Sequence, residues 1–175
     1  MAVDATTVAS LWSTFTAKAE LLGAAVMRTS SQETAASLLQ EAAPGYVCTA
    51  SVSARFPLVA KSASRPAAPE AASPEVVAAA EFAVAETGSV AVNEPAQDRG
   101  RCFLAERLWL LVPEQQLVAT LDHALNRIGE LIRSGSPHPV LMSGPSRTAD
   151  IERVLTIGVH GPRAVVIVVV GGSIT

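Results

Sequence analysis

Apolar residues recur along this chain at more than one period, and each change of period marks an element. Between residues 4 and 22, Val8, Leu11, Trp12, Phe15, Ala19 and Leu22 fall at helical spacing and predict an amphipathic helix. Gly23 to Arg28 then reads as a strand. Ser30-Ser-Gln-Glu33 reads as a capping box, with Ser30 as the cap and Glu33 reaching back. The helix it opens runs to about Ala43, where Pro44-Gly45 stops it. Tyr46 to Thr49 is a second short strand, so the order is that of a βαβ unit in outline.

Residues 62–74 break the pattern with Ser, Ala and the prolines Pro66, Pro69 and Pro74, and predict a loop. Two short strands follow, Phe82 to Ala85 and Ser89 to Val92, around Glu86-Thr87-Gly88. Asn93 to Arg101 reads as a polar loop. Arg107 to Val112 and Leu117 to Ala119 are further strands. Leu121 to Ile132 is a helix that stops at Arg133-Ser-Gly135. Val140 to Met142 and Ala164 to Val170 are the last strands, with a helix expected from Thr148 to Ile157 between them. The alternation predicts one α/β domain over residues 1–175, with a mostly parallel sheet and a hairpin or meander in its middle.

Composition narrows the possible functions. Hydrophobic residues make up 49% of the 175 and aromatic ones only 4%, so Ala, Val and Leu must fill the core. The formal charge of -3 gives no basic footprint for nucleic acid and no polybasic segment for an anionic membrane. Ala164 to Val170, the longest apolar run, is too short to span a bilayer as a helix and reads as a strand buried on both faces. Cys48 and Cys102 stand alone, which speaks against iron–sulfur and structural zinc sites and fits a reducing cytosol. The N-terminus lacks the basic stretch and apolar run of a secretory signal. His123, His138 and His160 are scattered, so no metal is expected, and no glycine-rich nucleotide motif or nucleophile elbow points to a cofactor.

Two segments carry candidate chemistry. In Ser143-Gly144-Pro145-Ser146-Arg147-Thr148-Ala149-Asp150-Ile151-Glu152, a strand delivers the chain to a tight turn and a helix start. Helix N-terminal amides with the planar donors of Arg147 would suit a carboxylate or phosphate. The plainer alternative is a cap by Ser146 or Thr148, with Arg147 paired to Asp150. In Glu86-Thr87-Gly88-Ser89, a carboxylate precedes a turn whose amides could hold an anion, and Glu86 could act as nucleophile or base. The alternative is a hairpin turn with Gly88 at positive φ. His160, within Gly158-Val-His-Gly-Pro162, could serve as a general acid or cap the helix before it.

Ala85 to Ser89, the strand from Arg107 ending in Pro113, and above all Ser143 to Glu152 with Gly158 to Pro162 resemble the LUD-domain family. The resemblance implies a three-layer α/β sandwich like the sugar-phosphate isomerase and coenzyme A transferase-like folds. It implies a cytoplasmic, non-redox accessory role in oxidising L-lactate to pyruvate, binding a small anionic ligand or docking on iron–sulfur partner proteins. The candidate ligand-facing positions in and around these segments are Thr87, Gly88, Ser89, Arg107, Ser143, Gly144, Ser146, Arg147, Thr148, Asp150, Glu152 and His160. The fold analogy also allows a transferase or isomerase that uses Glu86 and an anion site at 143–148. The family pattern places a His near the start of the strand after Pro113, where this chain has Gln115-Gln116. The ligand and any homo-oligomer stay open.

Overall fold

In the computed structural model, residues 5–64, 74–136, 138–149, 155–157 and 161–172 are described. Helix α1, Ala5–Leu21, buries Trp12, Phe15 and Ala19, spaced to fall on one face. Strand β1, Ala25–Thr29, leads to α2, Gln32–Ala42. The capping box lies one residue later than expected. Ser31 Oγ accepts from Thr34 N at 3.3 Å, and Ser31 N donates to Thr34 Oγ1 at 3.0 Å. A Thr hydroxyl thus closes the box that was expected from Glu33. Strand β2, Val47–Cys48, precedes two short helices, α3 Ala50–Arg55 and α4 Pro57–Lys61, which the pattern did not announce. Most of the Pro/Ala-rich segment expected at 62–74 lies outside the described residues.

Strand β3 runs from Glu75 to Val84, so the expected strand at Phe82 is only its last part. Strand β4, Ser89–Val92, follows. Most of the expected polar loop Asn93 to Arg101 is instead the first part of helix α5, Ala96–Leu104, which buries Cys102 and Asp98. Strands β5 Arg107–Pro113 and β6 Leu117–Val118, helix α6 Leu121–Arg133 and strand β7 Val140–Met142 come next, close to expectation. The helix expected from Thr148 to Ile157 is absent at both of its ends. Strands β8 Arg147–Ala149 and β9 Leu155–Ile157 pair antiparallel there, Thr148 opposite Thr156. Three of these six residues, Thr148, Thr156 and Ile157, are β-branched and favour the pleated form. Strand β10 is Ala164–Val170.

The main sheet has the order β1-β10-β5-β3-β4-β7, with β2 and β6 also paired to β3. Strands β1, β10, β5, β2 and β6 join it in parallel, and β4 and β7 antiparallel. The expected βαβ unit therefore straddles the sheet, its two strands separated by three others.

Alternation along the central strands builds the layers. Val76, Ala78, Leu108, Leu110, Val165 and Ile167 cluster with Trp12 and Phe15 of α1. Their neighbours Val77, Ala79, Trp109, Leu111, Val166 and Val168 cluster with Leu39, Val52 and Val59 of α2, α3 and α4. The result is a three-layer sandwich. A register shift between Ala80 and Phe82 then reverses the alternation in β3. Ala83 returns to the α1 side, while Phe82 and Val84 pack with Ala124 of α6.

Leu110→Ala removes a fully buried side chain from the sheet centre. It should lower unfolding free energy by about 3 kcal/mol in denaturant titration. Leu125→Ala, on the exposed side of α6, should change it by less than about 0.5 kcal/mol.

Candidate functional site

The turn from β3 to β4 is held by the backbone, with Gly88 N–H donating to Val84 O at 2.9 Å. Gly88 has φ +67, as a hairpin turn requires. A Cβ there would lie 2.5 Å from Ala19 N and 2.7 Å from Lys18 C, so the turn rests on the backbone at the end of α1. Glu86 is exposed and its Oε2 accepts from Leu121 N at 2.7 Å. Its own N–H donates to Ala119 O at 3.0 Å. Glu86 thus caps the first turn of α6 beside Thr120, where a negative charge suits the helix dipole. Thr87 Oγ1 accepts from Ser89 N at 3.3 Å.

The second segment meets the first across the β4–β7 ladder. Ser89 Oγ and Ser143 Oγ lie 2.7 Å apart. Gly144 has φ +79, and a Cβ there would sit 2.5 Å from Leu22 O. Ser146 N donates to Pro162 O at 3.0 Å. The Arg147 guanidinium lies over Gly23, so close that a Cβ on Gly23 would be 2.1 Å from Nη2. The two segments that stood out in sequence therefore converge on the C-terminal end of α1. A cation suits that end of a helix, where unpaired carbonyls gather. With β8 in place of a helix, residues 146–148 offer no helix N-terminus.

Other candidates lie elsewhere. Arg107 pairs with Glu75 at 3.3 Å and stands 5.8 Å from the Trp109 ring centre. This is the start of β3, roughly 30 Å along the strand from Val84. Thr148 stands in β8. Asp150, Glu152 and His160 lie outside the described residues. Gln115 Nε2 donates to Gly172 O at 2.9 Å, and Gln116 Oε1 accepts from Arg127 Nη2 at 2.7 Å.

One cluster was missed. Glu94, just before α5, and Asp98, on its buried face, are 5% and 7% exposed. Glu94 Oε1 accepts from Thr49 Oγ1 at 2.8 Å and from Ser51 Oγ. Asp98 Oδ2 accepts from Ala50 N at 2.8 Å, and Asp98 lies 3.7 Å from Arg101. Ser51 Oγ in turn accepts from Ala79 N at 3.2 Å, beside the register shift of β3. Glu94 Oε2 has no hydrogen-bond partner among the described residues. Burial pushes the Glu94 carboxyl above the usual range; the nearby Asp98 charge adds to this, and the Ser51 and Thr49 hydroxyls oppose it. Burial, with the Glu94 and Asp98 charges, holds the Cys102 thiol up at about 12. The trace in sequence is slight: Glu94 just before Pro95 and Asp98 three residues after it, at the end of an apolar strand.

The family model of the LUD domain matches residues 76–170, which takes in β3 through β10 and both converging segments. The chain belongs to the LUD-domain family. Lactate utilization protein C of Deinococcus radiodurans is 38% identical over 92 residues, covering 51% of this chain and 42% of that protein. Lactate utilization protein C of Geobacillus thermodenitrificans is 35% identical over 98 residues, covering 54% and 41%. The match with this LUD chain thus spans about two fifths of the length of those relatives. The crystal structure of a DUF162 family protein from Deinococcus radiodurans superposes with a TM-score of 0.66 at 21% identity, over 94% of this chain and 98% of that one. That likeness is one of fold.

Two outcomes follow for this LUD chain. Gly144→Ala should cost at least about 2 kcal/mol in denaturant unfolding, because positive φ and a backbone clash combine. Gly135→Ala, at φ +99 with open space around it, should cost only the conformational part, about 1 kcal/mol. The second outcome concerns pH. The fold favours neutral Glu94, so its contribution is fully present below the ordinary value of 4.5 and is lost as pH rises through the raised folded value. Urea midpoints of wild type should therefore fall across that window relative to Glu94→Gln, and a parallel pair of curves would contradict a raised Glu94.

Proposed function

We propose that this LUD chain is a non-redox accessory component of L-lactate oxidation to pyruvate, which holds a small anionic ligand or docks on iron–sulfur partners in the cytoplasm. The observation that carries the reading is the match to proteins named for lactate utilization, across the stretch that forms most of the sheet. The non-redox part rests on the thiols. Two separated cysteines are too few for a four-thiolate cluster, and burial holds both at about 12, far from the thiolate form. The Ser89–Ser143 hydroxyl pair and Arg147 are the groups of the two converging segments that would face an anion.

The transferase reading needs Glu86 free to attack. Its Oε2 is instead engaged by the first amide of α6, so no observation favours it over the accessory role.

Deleting the gene should abolish or sharply slow growth on L-lactate while leaving growth on pyruvate unchanged. Tagged protein should retain Cys-rich partner proteins on pull-down. Equal growth of the deletion strain and its parent on L-lactate would remove the lactate role.

A further inference from the structure

Strand β7 ends the sheet, paired to β4 alone among the described residues. A free strand edge invites pairing with another chain, and soluble proteins blunt such edges with charge. The opposite edge obeys this, since β1 carries the exposed Arg28, held by Glu114. β7 is Val140-Leu141-Met142, uncharged and partly buried throughout, with Pro139 before it rather than in it. The layers on either side of it are apolar as well. On one face, Phe103 of α5 lines a common recess with Val140 and Met142. On the other, α6 packs through Ala124, Ile128 and Leu131 on Phe82, Val84, Ala91 and Leu141. Its Arg127 and Glu130 flank turns toward Glu81 and Phe82 of β3, so its opposite flank looks out past β4 over β7. That flank carries Leu121, Leu125 and Ile132, which are 37%, 52% and 52% exposed. Among the described residues the other large exposed apolar side chains are Phe103 and Leu104 of α5, with only Leu21 and Met27 away from this edge.

We propose that a second copy of this chain docks here, about a two-fold axis at Leu141. β7 pairs antiparallel with β7 of the second copy, each strand answering the other's open backbone groups. The same axis sets the two α6 helices side by side and antiparallel. The sequence of α6 fits its own reversal. With the helices centred on each other, Leu121 meets Ile132 of the second copy, and Leu125 meets Ile128 and Gly129. Gly129 leaves room for the Leu125 side chain once Arg133, exposed and folded back over Gly129, swings to the rim. There Arg133, in the last turn, meets Asp122 of the second copy, in the first turn. Within one helix these two stand about 16 Å apart along the axis and cannot pair, whereas across the two-fold axis they pair twice. Rim charges of opposite sign at opposite ends suit a self-complementary surface better than a strongly charged partner. α6 alone, about 20 Å long, is too small for a specific interface, which removes at least about 1,000 Å² over both partners. The strand edge and Phe103 widen the face across both layers, and an interface near that lower bound gives a dimer of micromolar strength.

The test is sedimentation velocity of the full chain from about 1 μM to about 1 mM, a range that brackets such a dimer. The chain should pass from monomer to dimer within it. Leu125→Glu and Ile132→Glu stand at half-exposed positions, so both variants should fold as wild type does by circular dichroism in dilute solution. Each should weaken the dimer at least about tenfold. Asp122→Arg and Arg133→Asp should each weaken it about fivefold, because either change is felt twice across the axis. The double variant Asp122→Arg/Arg133→Asp should regain most of that loss. Both single changes also oppose the helix dipole, a cost that the double variant compounds, so its recovery reads the contact between copies and not helix stability. A chain that stays monomeric up to about 1 mM would overturn the proposal. So would a dimer indifferent to Leu125→Glu, which uses another face, or a double variant weaker than both single ones. A monomer that loses partner proteins on pull-down with Leu125→Glu overturns the second copy and gives the face to that partner.

Discussion

Strand β3 changes partners halfway along, and the rest of the molecule is arranged around that change. Its first half lies between β5 and β2 in the parallel sheet, and its second half turns to β4 and β6. The change coincides with a break in register between Ala80 and Phe82, where the strand bends. Such a break leaves backbone groups to be answered by side chains. Ser51 answers Ala79 N, and Ser51 is itself held by Glu94. The buried acid cluster and the register break are therefore one structure, in which a polar group beside α5 supports the point where β3 leaves β2 and β5 for β4 and β6.

Much of this was legible in the sequence where a period was strong. The stripe Trp12, Phe15, Ala19 announced α1, and the run Ala164 to Val170 announced a strand buried on both faces. The first half of β3 was not legible because Val76 to Ala80 has no alternation and ends in three alanines, which lack the β-branched bulk that marked Ala164 to Val170 as a strand. Helix α5 was hidden by its polar surface, since its buried residues include an aspartate. The hairpin of β8 and β9 shows pairing overriding a helical reading of a short segment.

The candidate site was legible as a place but not as chemistry. The glycines of both segments mark close approaches to α1, a requirement of packing that looks in sequence like a ligand turn. Glu86 looked like a free carboxylate because the amide it caps lies 35 residues further on. Glu94 went unnoticed for the same reason, its hydroxyl partners being 45 and 43 residues away. Sequence displays residue types and near neighbours, whereas both roles depend on partners the fold brings from a distance.

The placing of β10 between β1 and β5 bears on how the protein is made. Ala25 pairs with Val166, and Arg107 with Ala164, so the sheet cannot close until β10 has been synthesised. Contacts so distant in sequence form slowly. Until they do, β1 and β5 leave an open slot, and β10 itself is a seven-residue apolar segment of high β-propensity without charge or proline. During synthesis the slot between β1 and β5 therefore stays open until this last central strand arrives, and the sheet's two halves are joined only by that one insertion.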